Sequence, residues 1–318
     1  MTFRTAALIT VALLAGACTT SQDPRPAGVP APGAPIYLRV KLPGSGPVRR
    51  TPLEQYVRGA VLPELTPAAV DAAIVSRLLD VQTIVARTFA VAHLGRHRRD
   101  GYDLCSTTHC QLYDPGRAAA SRWAHAANES ASRTAGTVLW FGASAASALF
   151  HADCGGHTSA AAEVWGGGAH PYLKAIPDDG PAAAAHTRWS YEVEARQLAA
   201  AVNDDPRTRV GRDLSAIRIV QRDQGGRAAL VLLRGAREPL VRGEELRSVL
   251  TRRFGPRSIR STRFEVRRSG STFVFTGQGY GHGVGLCQAG ARARIRAGAR
   301  PEQVLATYYP GTQLRVLR

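Results

Sequence analysis

Proline donates no backbone hydrogen bond, and inside a helix its ring collides with the carbonyl of the preceding turn. The segment Pro63-Glu64-Leu65-Thr66-Pro67 therefore limits how this chain can fold more than any other. Before it, Leu53, Tyr56, Val57, Ala60 and Val61 recur at helical spacing, with Thr51 as a cap and Pro52 in the first turn. The prolines should end that helix. A second helix is predicted from Pro67 to about Leu94, broken near Arg77–Asp80 and stopped by Gly95. Farther on, the apolar period becomes that of strands. Thr137–Phe141 and Ala148–Ala152 read as paired strands. Ala216–Arg222 and Ala228–Arg234 read as a hairpin across Asp223-Gln224-Gly225-Gly226, and Arg263–Arg268 and Thr272–Thr276 as another across Ser269-Gly270. Ile36–Leu42 also alternates. Short helices are expected over Ala195–Val202, Gly243–Phe254, Gln288–Ala297 and Pro301–Tyr308. No βαβ rhythm and no repeat is present. The fold class is α+β, with mostly antiparallel strands and hairpins and a helical N-terminal part around a cleft.

The N-terminus does not belong to that fold. Arg4 precedes an apolar run, Ala6–Ala15, too short to span a bilayer, and small residues lead to Cys18. Residues 1–18 read as an export signal ending in a lipoprotein box, with Cys18 as the lipidated residue. Residues 19–35, rich in Pro, Ala and Gly from 23 onward, read as a tether. Residues 36–318 are expected to form one catalytic domain outside the cytoplasm, periplasmic or at the cell surface, held to the membrane through the lipid. The 318 residues are 44% hydrophobic, enough for a sizeable core. A net charge of +17 draws the chain toward polyanions. Its arginines are nevertheless scattered, with no basic stripe interleaved with aromatics, and export argues further against nucleic acid.

Five segments concentrate chemically useful residues among glycines and turns. They are Leu62–Leu65, Gln82–Thr88, Asp103–Tyr113, His151–Trp165 and Gly277–Ala289. Glu64 precedes the run Gln82-Thr83-Ile84-Val85-Ala86-Arg87-Thr88-Phe89-Ala90, which fits Q-x-x-x-A-R-T-[YF]-A. Asp103-Leu104-Cys105-Ser106-Thr107-Thr108-His109-Cys110 forms a Cys/His loop. Cys154-Gly155-Gly156-His157-Thr158 is followed by Glu163-Val164-Trp165-Gly166, and Gly281-His282-Gly283-Val284-Gly285-Leu286-Cys287-Gln288 fits G-H-G-V-G-[LM]-x-Q. In this order the segments resemble the SpoIID/LytB family, over nearly everything after the tether. One departure is the stretch from Glu64 to Gln82, which is longer than the family pattern.

The resemblance implies a lytic transglycosylase acting on peptidoglycan glycan strands in cell-wall remodelling, with Glu64 as the catalytic residue. The chemistry is intelligible from the residue itself. A glycosidic bond breaks when an acid protonates the leaving oxygen. The same carboxylate can then take a proton from the C6 hydroxyl of the sugar, closing a 1,6-anhydro ring without water. Pro63 and the flanking leucines would desolvate Glu64 and raise its pKa. Taken alone, Glu64 reads first as an ordinary glutamate near a helix start, and it is the resemblance that reverses this. Substrate-binding roles fall on Gln82, Arg87, Thr88, His151, His157, Thr158, His282 and Gln288, with Arg87 suited to a substrate carboxylate. The family also suggests an alternative, a non-catalytic glycan-binding enhancer of a cell-wall amidase.

Cysteine chemistry stays open between two readings. In an oxidising compartment, Cys105 with Cys110 and Cys154 with Cys287 are the natural disulfide candidates. The rival, implied by relatives, is a structural zinc held by Cys105, His109, Cys110 and an upstream histidine, His97 or His93. No cofactor is required for the glycan chemistry itself.

Overall fold

The computed structural model describes residues 35–67, 71–168, 170–178 and 186–317. The export segment, Cys18 and almost all of the tether lie outside these. In chain order, β1 (Tyr37–Lys41) and β2 (Val48–Pro52) lead into α1 (Leu53–Glu64) and α2 (Ala72–Ala92). After β3 (Leu104–Cys105), α3 (Pro115–Ala119) and α4 (Ala124–Arg133) come β4 (Thr137–Phe141), β5 (Ser144–Ala145), β6 (Phe150–His151) and α5 (Ala161–Trp165). Then follow β7 (Arg188–Glu194), α6 (Ala195–Asn203), β8 (Ala216–Arg222), β9 (Ala228–Arg234), β10 (Leu240–Arg242) and α7 (Gly243–Phe254). The chain ends with β11 (Phe264–Ser269), β12 (Thr272–Gln278), β13 (Leu286–Cys287), α8 (Gln288–Arg296), α9 (Pro301–Tyr308) and β14 (Gln313–Val316).

The strands form small sheets ordered β2-β1-β3, β10-β9-β8, β11-β12-β7, β13-β6 and β14-β4-β5. Pairing is antiparallel except between β1 and β3 and between β6 and β13. This is the α+β fold expected. Among the described residues no helix is long and apolar enough to cross a membrane.

Helix α2 organises the core because it is apolar around most of its circumference. One side packs Leu78, Leu79 and Phe89 against Tyr56, Val57 and Val61 of α1 and Leu38 and Val40 of β1. Its other side sets Val81, Ile84 and Val85 among Leu286, Leu305 and Tyr308. Each fully buried leucine or phenylalanine contributes roughly 1.5–3 kcal/mol, so α2 is the least replaceable element. A third core, built within 189–275, joins Trp189, Leu198, Val231, Leu246 and Phe273.

Three local expectations need correction. Helix α2 begins at Ala72, not Pro67, because the Asp71 carboxylate accepts the Ile74 N–H at 2.9 Å as its cap. It is unbroken at Arg77–Asp80. Leu78 and Leu79 point into the core, while Asp80 accepts from Ser130 Oγ (2.8 Å) and Arg133 Nη2 (2.7 Å) of α4. Strand β6 does not pair with β4 but lies parallel to β13, placing His151 beside Cys287.

Candidate active site

Helix α1 runs through Pro63, contrary to expectation, and ends on Glu64. Proline at 63 leaves the Gly59 carbonyl without its helical donor. Asp114 N–H supplies the missing bond at 3.0 Å. Gly59 also lets Tyr113 lie against the helix, since a Cβ there would stand 2.6 Å from the ring. Tyr113 stacks on Tyr56 at 5.0 Å. These contacts carry the 110–114 segment to the end of α1, where the Leu112 N–H donates to Glu64 Oε1.

Three glutamines complete the surroundings of Glu64. Gln288, at the start of α8, donates through Nε2 to the Glu64 carbonyl (3.3 Å) and to Gln82 Oε1 (3.2 Å). Gln111 Oε1 accepts from Tyr56 Oη at 3.0 Å. The Nε2 atoms of Gln82 and Gln111 are buried without a partner. Such orphan donors are uncommon in folded proteins and mark a polar site. The Glu64 carboxyl is half-buried. Burial raises its pKa from 4.5 to about 7, against the Leu112 N–H, which favours the ionised form. The group therefore exists in both protonation states near neutral pH, as a proton shuttle requires.

A second group adjoins through the β6–β13 ladder. His151 is buried, its Nδ1 bonded to the Val284 carbonyl at 3.1 Å, and its Nε2 has no partner. Its ring lies 5.5 Å from that of His282, which lies 5.1 Å from Trp165. Burial lowers the His282 pKa to about 4 and pushes that of His151 well below 6.5, so both are neutral at pH 7. Arg227 of the β8–β9 hairpin crosses into this region and donates to the carbonyls of Cys154 (2.8 Å) and Gly281 (3.1 Å). Hollows of about 450 and 380 Å³ lie between Arg294 and Val304 and between His93 and Tyr172, and neither includes Glu64.

Several residues expected to bind substrate are structural instead. Arg87 is 0% exposed and makes two parallel bonds to Glu54 at 2.8 Å each, with further bonds to Thr134 Oγ1 and the carbonyls of Ala131 and Thr137. All its donors face inward, so none remains for a substrate carboxylate. Thr88 Oγ1 donates to the Ile84 carbonyl and accepts from Leu139 N. Thr158 Oγ1 donates to the Lys174 carbonyl (3.1 Å) and accepts from Ile176 N (2.8 Å). His157 differs from these, being partly exposed and turning only Nδ1 inward, to the Thr158 carbonyl at 2.6 Å. Arg87→Ala is expected to destabilise the protein by about 3 kcal/mol in urea unfolding, because Glu54 and two carbonyls lose their donor. Arg87→Lys should recover only part of this, since an ammonium cannot reproduce the paired bonds.

None of the four described cysteines is bridged. Cys154 donates its thiol to Asp178 Oδ2 (3.4 Å), while Cys287 Sγ accepts the N–H groups of Cys154 (3.2 Å) and Gly290 (3.3 Å). The two sulfurs lie within 4.8 Å of each other, so the fold brings together the pair expected as a disulfide, here as free thiols. The sulfurs of Cys105 and Cys110 lie together with His97 and His109, the four ligand atoms lying within 4.8 Å of one another. His97 Nε2 is 3.2 Å from Cys110 Sγ, and His109 Nδ1 is 3.6 and 3.7 Å from the two sulfurs. Tetrahedral zinc with ordinary Zn–S and Zn–N lengths separates its ligands by about 3.3–3.8 Å, so this set fits the ion. Asp100 stands 3.4 Å behind His97 Nδ1, as an orienting carboxylate does. His93 is not in the set, being occupied by the Phe89 carbonyl (2.8 Å) and Ser147 (3.3 Å).

Among the functional neighbours, sequence reasoning did not single out Gln111, Trp165 and Arg227. The first two lie inside the motifs already noted. Only the fold reveals Arg227.

Comparison with known proteins places these segments among matched regions. A family model described as Stage II sporulation protein (SpoIID) matches residues 44–141, which hold Glu64, the glutamine helix and the Cys/His loop. A domain of unknown function matches 181–285, spanning most of the third core. The chain is 24% identical to Stage II sporulation protein D of Bacillus subtilis over 290 residues, covering 88% of this chain and 79% of that protein. It is 26% identical to the protein of the same name from Bacillus amyloliquefaciens, with the same coverage. It is also 27% identical to the amidase enhancer of Bacillus subtilis, covering 74% of this chain but 37% of that longer protein.

Proposed function

We propose, from the premise that this chain belongs to the SpoIID/LytB family of cell-wall remodelling proteins, that it is a lytic transglycosylase cutting peptidoglycan glycan strands. The observation that carries this reading is Glu64, a half-buried carboxyl with a pKa near 7 at the edge of a cluster of glutamines. Protonated Glu64 gives its proton to the glycosidic oxygen as the bond to the anomeric carbon breaks. The resulting carboxylate accepts the proton of the C6 hydroxyl, whose oxygen attacks that carbon and closes the 1,6-anhydro ring. The Leu112 N–H keeps one carboxyl oxygen fixed throughout. Gln82 and Gln288 supply neutral polar contacts that do not depress the acid's pKa.

His97, Cys105, His109 and Cys110 would hold a zinc ion. Bound there, the metal would supply rigidity to the loop that carries Leu112, without joining the reaction. An N-terminal lipid on Cys18 would place the domain outside the cytoplasm at a membrane surface.

The test is incubation with intact and with peptide-stripped glycan, followed by mass spectrometry for 1,6-anhydro ends. Anhydro products support the transglycosylase. Binding without products from either substrate supports the second reading, an enhancer that brings glycan to a cell-wall amidase, which the 27% identical amidase enhancer favours.

A further inference from the structure

Trp165 is the one tryptophan of four that the fold leaves exposed, at 42%. The other three bury their indole nitrogens. A large aromatic face turned to solvent beside buried polar side chains is a feature of binding sites. Trp165 is also held in place. It ends α5, whose Ala161 and Val164 are buried, and its ring rests on His282 at 5.1 Å. His282 is fixed in turn, its Nδ1 accepting the Val284 N–H at 3.0 Å. The next residue, Gly166, has φ 71° and no side chain, and a Cβ there would stand 2.6 Å from Arg242 Nη2. The guanidinium of Arg242 thus lies directly against the turn that follows the indole. It donates to the Glu163 carbonyl at 3.4 Å and has no carboxylate partner among the described residues.

An exposed aromatic face next to a guanidinium that makes no salt bridge among the described residues suits a ligand with an apolar ring face and an anionic arm. A pyranose ring offers its C–H face to an indole, and a carboxylate takes paired hydrogen bonds from arginine. Within the fold, Trp165 is linked to the Glu64 region through packed side chains. From Trp165 the contacts run through His282 to His151, then across the ladder to Cys287, whose neighbour Gln288 is bonded to the Glu64 carbonyl. We propose that Trp165, supported by His282, and Arg242 form a saccharide subsite for a sugar unit bearing a carboxylate. Its identification as a unit of the cell-wall glycan rests on the proposed function.

Titration of the full chain carrying Glu64→Gln with a disaccharide containing muramic acid, and with neutral chitobiose, tests the subsite. Binding of either sugar should shift the tryptophan fluorescence through Trp165, the most exposed of the four indoles, and the shift should vanish in Trp165→Ala. Trp165→Ala should weaken both ligands about tenfold in calorimetry, and Trp165→Phe should recover part of the loss. Arg242→Gln should reduce affinity for the acidic disaccharide to that for chitobiose and leave chitobiose unchanged. The subsite is overturned if Trp165→Ala, with an unchanged melting temperature, binds as tightly as its parent, or if the parent binds neither sugar. The cleavage reading fails separately. A Trp165-dependent affinity in a protein whose Glu64 form yields no anhydro ends would keep the subsite and remove the transglycosylase.

Discussion

Glu64→Gln is expected to lower the rate of 1,6-anhydro product formation by about 10²–10⁴-fold, the usual contribution of a positioned general acid, while glycan affinity stays within a factor of two or so. Glutamine keeps the shape and still offers an oxygen to the Leu112 N–H, but it cannot transfer a proton. The wild-type pH profile should bear the same signature. The acid must be protonated in the free enzyme, so kcat/KM is expected to fall above about pH 7, where Glu64 ionises. Stability provides an independent check. Between 4.5 and about 7 the folded state holds a proton that the unfolded state has released, so wild-type stability falls as pH rises through that window. Glutamine carries no such penalty. The variant should match the wild type near pH 4 and exceed it by about 3 kcal/mol at pH 9 in urea unfolding. Full activity in the glutamine variant would remove Glu64 as the acid. Equal stability of the two proteins at pH 9 would remove its raised pKa.

What the sequence revealed of this site, and what it did not, follows the range of the interactions. Helices α7 and α9 fall on the residues that apolar spacing and Pro301 indicated, because spacing and capping are local properties. The β8–β9 hairpin follows from the turn residues Asp223–Gly226 for the same reason. Glu64, Gln82 and Gln288 do converge, although Gln82 and Gln288 are far apart in the chain. No spacing rule predicts that meeting. Resemblance brought these residues together before the fold did. The failures are non-local. Pro63 stays helical because a loop residue, Asp114, satisfies the carbonyl that proline frees. Arg87 sits inside a motif and invites a substrate role, but Glu54 on the neighbouring helix claims its guanidinium. Strand β6 is two residues long, and its partner follows more than a hundred residues later, so its pairing left no local trace. For the cysteines, export favoured bridges, whereas the sulfurs of Cys105 and Cys110 face two imidazoles.

That imidazole–thiol centre carries the second large expectation. Chelation, or Cys110→Ser, should release one zinc ion per chain and destabilise the protein by several kcal/mol. The loss should stay below the roughly 10–16 kcal/mol seen where metal alone folds a peptide. Here β3 pairs with β1 and Tyr113 stacks on Tyr56, so part of the loop is held without metal. Turnover should fall as well, because Leu112, which orients the Glu64 carboxyl, lies two residues beyond Cys110. A structural ion is replaceable by another of similar size and tetrahedral preference. Cobalt or cadmium should therefore restore the melting temperature and the turnover together, whereas a metal that activates water would restore them unequally. His97→Gln should reproduce the metal loss, and His93→Gln should not, since His93 points instead to Phe89 and Ser147. A metal-free protein whose mass is lower by two hydrogens, with Cys105 and Cys110 joined in a peptide map, would overturn the zinc centre in favour of a disulfide.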